Sequence, residues 1–158
     1  MAVWYYCAGH PLSDLANMCG SYYMPAAVGG DQRPAHLCGL MGLDLGQLGL
    51  PDEQSLVLMY TSGSPLPLHV RMQPGAPGSS SAQAAQAGEQ GLPWAFFMAM
   101  YFFKYAVIAQ GVAARAASGN ATSASAPLAK RYIPLLASMC RGKLQELQTA
   151  PISFNPKL

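Results

Sequence analysis

"WAFFMAMYFFKYAVIAQGVAARAA", residues 94–117, decides how this chain folds. Pro93 stands at its entrance and Gly119 just past its end, the punctuation expected of a helix with a proline near the first turn and a glycine in the C-terminal cap. Trp94, Phe97, Tyr101, Tyr105, Ile108 and Val112 recur at helical spacing as one stripe. Phe96, Met100, Phe103 and Val107 form a second. A helix apolar on nearly all sides is either buried in a core or set in a bilayer. Leu92 to Ala114 is long enough to span about 30 Å of hydrocarbon. Lys104 in mid-segment opposes insertion, because a central lysine costs roughly 2.5 to 3.5 kcal/mol on insertion scales. A central core helix is therefore expected, and no membrane partner.

Upstream, Leu15, Met18, Cys19 and Tyr22 predict a short amphipathic helix from Ser13 to about Met24, stopped by Pro25. Ser13 is the expected N-cap. Asp14 in the first turn suits the positive end of the helix dipole, an effect of about 0.3 to 1 kcal/mol at an exposed site. The Gly- and Leu-rich run "LMGLDLGQLGL" (Leu40 to Leu50) has neither phosphate-loop spacing nor enough copies for a leucine-rich solenoid. It reads as an irregular apolar loop lying on the core. Asp52 can cap a second short helix with Leu56, Met59 and Tyr60 on one face, ending near Gly63, and the adjacent Asp52 and Glu53 read as a solvated helix start.

Between Gly63 and Gly91 the composition turns to Pro, Gly, Ser, Gln and Ala. Too few large apolar groups remain to offset ordering the backbone at roughly 1 to 2 kcal/mol per residue, so a long disordered insertion or linker is expected. A last helical segment is expected over roughly Ser125 to Leu147, kinked or divided at Pro134. Its Lys130, Arg131, Arg141, Lys143 and Glu146 read as a solvated face. The predicted organisation is mainly α: residues 1–62, an insertion at 63–91, helices over 92–150, and a tail at 151–158.

Composition narrows the function. The 158 residues are 51% hydrophobic, enough for one packed core. Nine Lys and Arg against seven Asp and Glu give a formal charge of +2 without any like-charged block, so nucleic acid is not an expected partner. Cys7, Cys19, Cys38 and Cys140 form no CxxC pair, and no secretory signal precedes them, so reduced and mostly buried thiols are expected. His10 or Cys19 could in principle join His36 and Cys38 at a metal, but ligand spacing without a second pair is better explained by packing. His10, His36 and His69 have no nucleophile elbow beside them, so no hydrolase emerges. The terminal Pro156-Lys157-Leu158 is similar to a Ser-Lys-Leu peroxisomal address, giving a cytoplasmic or peroxisomal expectation.

"GHPLSDLAN", Gly9 to Asn17, resembles the Gly-x-Pro-x-x-Asp-Leu-Ala segment of the aminoglycoside phosphotransferase and choline-kinase-like family, which follows a strand ending in Asp-Trp-Glu. "LGLPDEQSLVLMY" (Leu48 to Tyr60), Trp94 to Ser123 and the final helix resemble, in matching order, the variant fused to acyl-CoA dehydrogenases. The likeness covers about residues 9–147 except the 63–91 insertion. It implies part of the helical large lobe of a protein-kinase-like fold. A full-length relative would use ATP and magnesium to phosphorylate a small hydroxylated substrate, with hydroxyacyl-CoA a candidate through the fusion.

The same resemblance implies that Asp14 supports active-site loops by accepting backbone amide hydrogens, without a catalytic part. Met1 to Ala8, in the place of the metal-binding strand, carry no carboxylate. A catalytic His-Gly-Asp loop, a Gly-rich phosphate loop and a strand lysine are likewise missing from these residues. Phosphoryl transfer rests on positioning and electrostatics that those parts supply. The expectation is no catalytic, cofactor or metal residues in this chain, no kinase activity from it alone, and as partner the missing lobe or a homologous full-length chain. The alternative from another class is a small helical interaction or membrane-associated protein working through an exposed apolar face.

Overall fold

The computed structural model describes residues 10–26, 38–65, 68–72, 91–123 and 125–149. The fold is mainly α. Among the described residues the order is α1 (Pro11–Cys19), a 3-10 turn (Gly20–Tyr23), α2 (Glu53–Gly63), β1 (Val70–Arg71), β2 (Leu92–Pro93), α3 (Trp94–Ala117), a second 3-10 turn (Ala126–Arg131) and α4 (Ile133–Thr149).

The helix read from residues 94–117 has those bounds, and its ends explain why. Pro93 is extended and cannot donate into a preceding turn, so the helix starts after it. At the other end the Gly119 amide donates to the Ala116 carbonyl at 3.2 Å and the Asn120 amide to that of Arg115 at 2.9 Å. Gly119 takes φ 73°, the left-handed conformation this paired closure requires.

The expected central core helix is only half buried. Trp94, Phe97, Met98, Tyr101 and Phe102 face inward, while Phe96, Met100, Phe103 and Val107 face out. Phe103 is 56% exposed beside the fully buried Phe102. The first stripe itself is split, since Tyr105 and Ile108 are exposed. α3 is long and apolar enough to cross a membrane by length and composition, with 33% of its most apolar window buried.

α1 starts at Pro11, two residues before the expected Ser13. The cap is His10, whose Nδ1 accepts the Leu12 amide at 3.2 Å, and Pro11 fits the first turn because its missing N–H has no partner there anyway. The buried stripe is Leu12, Leu15, Ala16 and Cys19, at i, i+3, i+4 and i+7. Met18, expected inside, is 56% exposed. Full burial of Leu12 and Leu15 stabilises by about 1.5 to 3 kcal/mol each. The 3-10 turn continues the chain to Tyr23. At its start Gly20 lies so close to the Tyr101 ring that a Cβ would overlap it.

α2 also turns differently. Its buried face carries Glu53 and Val57, flanked by half-buried Leu56 and Tyr60, and Met59 lies on the outside. Asp52 caps it as expected, accepting the Ser55 amide at 2.7 Å. Leu40 donates to Ser21 at 2.8 Å and Met41 to Met24 at 3.0 Å, which pins residues 39–41 to the first 3-10 turn. Beyond that anchor the Leu-rich loop does not lie on the core, for Met41, Leu43, Leu48 and Leu50 are all exposed.

Part of the expected insertion is built into the fold. β1 pairs in parallel with β2, Val70 opposite Leu92 and Arg71 opposite Pro93, and Met72 is buried. The close approach of the Gly91 backbone to Val70 and Arg71 leaves no room for a Cβ. Residues 73–90 of that stretch lie outside the described residues, as do Cys7, His36, Met1 to Ala8 and the 151–158 tail.

The last helical segment is divided. A 3-10 turn ends at Arg131, and α4 begins at Ile133, with Pro134 in its first turn, where a proline removes no intrahelical bond. Leu136 is buried against α3. Lys130, Arg131 and Arg141 are exposed as expected. Lys143 is not: its side chain is 12% exposed, ion-paired to Glu146 at 3.0 Å, with Nζ 4.9 Å from the Tyr23 ring centroid.

Candidate functional site

The most concentrated chemistry lies where α1, α2, α3 and α4 meet, around a carboxylate expected in solvent. Glu53, the first residue of α2, is 3% exposed. Its Oε1 accepts the Trp94 Nε1–H at 2.9 Å and its Oε2 accepts the Tyr23 hydroxyl at 2.7 Å. Asp52 turns outward to cap the helix, which leaves Glu53 directed into the bundle.

Burial sets the protonation of the cluster. Desolvation raises the Glu53 carboxyl above the ordinary value of 4.5, against a lowering by the Trp94 and Tyr23 hydrogen bonds and by Lys143. Cys19 is pushed up to about 12, first by burial and then by Glu53, so it stays a thiol. Tyr23 moves upward by burial and by the same carboxylate. Tyr22, raised mainly by desolvation, donates to the Pro51 carbonyl at 2.7 Å. The arrangement holds neutral donors on a buried acid. It can take up a proton, but both carboxylate oxygens already have partners.

Asp14 stands exposed on the first turn of α1, consistent with a dipole role. Neighbouring His10 lies on Phe97, ring centroids 5.0 Å apart. His69 is exposed at the start of β1. Asn17 on α1 accepts from Lys104 of α3 at 2.6 Å. The structure does not gather these residues into one site with Glu53. Among the described residues no three His, Cys, Asp or Glu side chains come together to hold a metal ion.

The resemblance implies magnesium and ATP for a full-length relative, and most of the described carboxylates here already have a partner of their own. Asp44 accepts the Gln47 amide, Asp52 caps α2, Glu53 holds two neutral donors, and Glu146 pairs with Lys143. Asp14 stands exposed on α1, and among the described residues no three of these acids share the oxygen shell that a hard cation needs.

Sequence reading missed Glu53 because an Asp-Glu pair at a helix start is ordinarily solvated. The available signal was on the other side: a Trp buried in an apolar helix needs an acceptor for its N–H, and few acids are on hand. Trp94 and Glu53 are 41 residues apart, so their meeting is a tertiary fact.

No family model matches the chain. No solved structure gives a significant match. Among curated proteins, the chain is 30% identical over 151 residues to acyl-CoA dehydrogenase family member 11 of Mus musculus, covering 94% of this chain and 16% of that protein. The Rattus norvegicus family member 11 is 29% identical over 150 residues, with the same coverage. Acyl-CoA dehydrogenase family member 10 of Mus musculus is 30% identical over 118 residues, 75% of this chain and 8% of that protein. The chain thus spans a small part of the relatives it matches, and it is a distant homologue of acyl-CoA dehydrogenase family members 10 and 11 over that part.

Proposed function

We propose that this chain is the helical part of the large lobe of a phosphotransferase module of the aminoglycoside-phosphotransferase and choline-kinase-like type, in the variant associated with acyl-CoA dehydrogenases. The observation that carries the reading is similarity to acyl-CoA dehydrogenase family member 11 along 94% of the chain but 16% of that protein. On this reading the parent module transfers phosphate from ATP, with magnesium, to a small hydroxylated substrate such as a hydroxyacyl-CoA. Asp14 supports the active-site loops from the first turn of α1. The partner is the complementary lobe or a full-length homologue, in the cytoplasm or peroxisome.

On this reading the chain alone transfers no phosphate, because the metal ligand, the catalytic base and the ATP-binding lobe belong to other parts of the module. The test incubates purified chain with labelled ATP, magnesium and a panel of hydroxyacyl-CoAs. No transfer is expected, and label appearing on any acyl-CoA refutes this part. The module assignment is tested separately, by reading the genomic sequence upstream of Met1 in the same frame. An Asp-Trp-Glu strand end and a catalytic loop there support it, and an unrelated upstream sequence counts against it.

The outward stripe of Phe96, Met100, Phe103 and Val107 favours a second reading, a small helical interaction or membrane-associated protein. Resistance to alkaline carbonate extraction would support its membrane form, and release into the soluble fraction would not.

A further inference from the structure

We propose that Glu53 is a proton switch built into the helix junction: its Oε2 takes up and releases a proton while the Tyr23 hydroxyl reverses between donor and acceptor, so the joint persists in both states. The asymmetry of the two partners assigns the atom. An indole N–H can only donate, so the oxygen facing Trp94 must remain an acceptor. A tyrosine hydroxyl does both. The protonated Oε2 can therefore donate to the Tyr23 oxygen across the same 2.7 Å contact, with the helices where they stand.

The surroundings favour proton uptake. No cation stands within ion-pairing distance of Glu53 among the described residues, and Lys143 is committed to Glu146 at 3.0 Å. α1 contributes Cys19, the 3-10 turn Tyr22 and Tyr23, α4 Lys143 and Glu146, and α3 only the non-titrating Trp94. The thiol and both phenols are neutral near pH 7, and the two charges of α4 oppose each other. Desolvation of the carboxylate is left as the largest influence, and it favours the neutral acid.

The sign of the linkage follows. The folded chain holds this proton to a higher pH than the unfolded chain, whose carboxyl titrates near 4.5. Between 4.5 and the raised folded value the native state binds more protons. Stability contributed by this group is therefore fully present below that interval and lost as pH rises through it.

The test labels the side-chain carboxyl carbons of the full chain's three glutamates, Glu53, Glu89 and Glu146, and the indole nitrogens of Trp4 and Trp94. NMR spectra are then followed with pH. One glutamate is expected to titrate above 4.5, with the Trp94 indole resonance moving at the same midpoint. Glu53→Gln mimics the protonated state, its amide nitrogen donating to Tyr23. It should keep the fold and abolish the Trp94 step, and the wild type should lose stability to urea relative to it as pH rises from 4.5 through the wild type's own Glu53 midpoint.

A Glu53 midpoint at or below 4.5, or a Trp94 step that survives in Glu53→Gln, overturns the proposal. Should that variant fail to fold, separate midpoints for the glutamate and Trp94 in the unaltered chain overturn it equally. Tyr23→Phe tests the assigned atom: it removes a donor from the anion and should raise the midpoint, and an unchanged midpoint refutes the role given to Tyr23.

Discussion

Replacing Glu53 by alanine tests the claim that one buried carboxylate joins the helices. The substitution leaves the Trp94 N–H and the Tyr23 hydroxyl without their acceptor. Each buried unsatisfied group costs about 1 to 3 kcal/mol. The 3% exposure of Glu53 means that water reaches the vacated place poorly, so both penalties apply. Against them stands the relief of no longer desolvating a carboxylate that has no ion pair, which offsets part of this loss. The net expectation is a loss of about 2 to 4 kcal/mol, a large share of the roughly 5 to 15 kcal/mol available to a domain. Glu53→Gln retains an acceptor for Trp94 and should lie within about 1 kcal/mol of wild type. Urea unfolding followed by far-ultraviolet circular dichroism measures both, read as midpoint changes at constant slope. Alanine costing under about 0.5 kcal/mol, or glutamine costing as much as alanine, would refute the reasoning.

Phe102→Ala should destabilise by about 3 to 5 kcal/mol, whereas Phe103→Ala at the next position should stay within about 0.5 kcal/mol, a contrast thermal unfolding resolves directly. Gly20→Ala forces a methyl onto the Tyr101 ring and should cost about 1 to 3 kcal/mol in urea. Lys143→Met removes the cation over Tyr23 and its pairing with Glu146, with an expected loss of about 1 kcal/mol. Because Lys143 lowers the Glu53 carboxyl, the same variant should shift its NMR titration midpoint upward. Asp14→Asn should cost no more than about 1 kcal/mol in thermal unfolding, since the residue is exposed and faces only the helix dipole.

The helices were legible where local chemistry decides them. Pro93 and Gly119 bracket α3 in the sequence as they do in space, and Asp52 caps α2 in both. Details that depend on remote partners were not legible. Met18 and Met59 have the spacing of core residues, but the core lies one step around each helix, toward Leu12 and Val57. His10 displaces Ser13 as a cap because its ring reaches forward to the Leu12 amide. The β1–β2 pair joins two dipeptides on either side of a Gly- and Ser-rich run, too short for any period to show. Glu53 and Lys143 both looked like surface charges because nothing in their own helices reveals the Tyr23 and Trp94 side chains that face them.

The order of contacts along the chain has a kinetic consequence. α3, its connection and α4 form a sequence-local hairpin, whereas the Lys104 to Asn17 bond ties residues 87 positions apart. Local contacts form quickly, and distant ones wait on loop closure. The hairpin of residues 94–149 should therefore nucleate, with α1 captured last as an incoming lid on Phe97 and Tyr101. Because closure entropy grows only logarithmically with loop length, doubling an intervening loop costs about 0.6 kcal/mol. The same small increment bounds the effect on refolding, so breaking the Lys104 to Asn17 bond should speed the release of α1 more than it slows the closing of the hairpin.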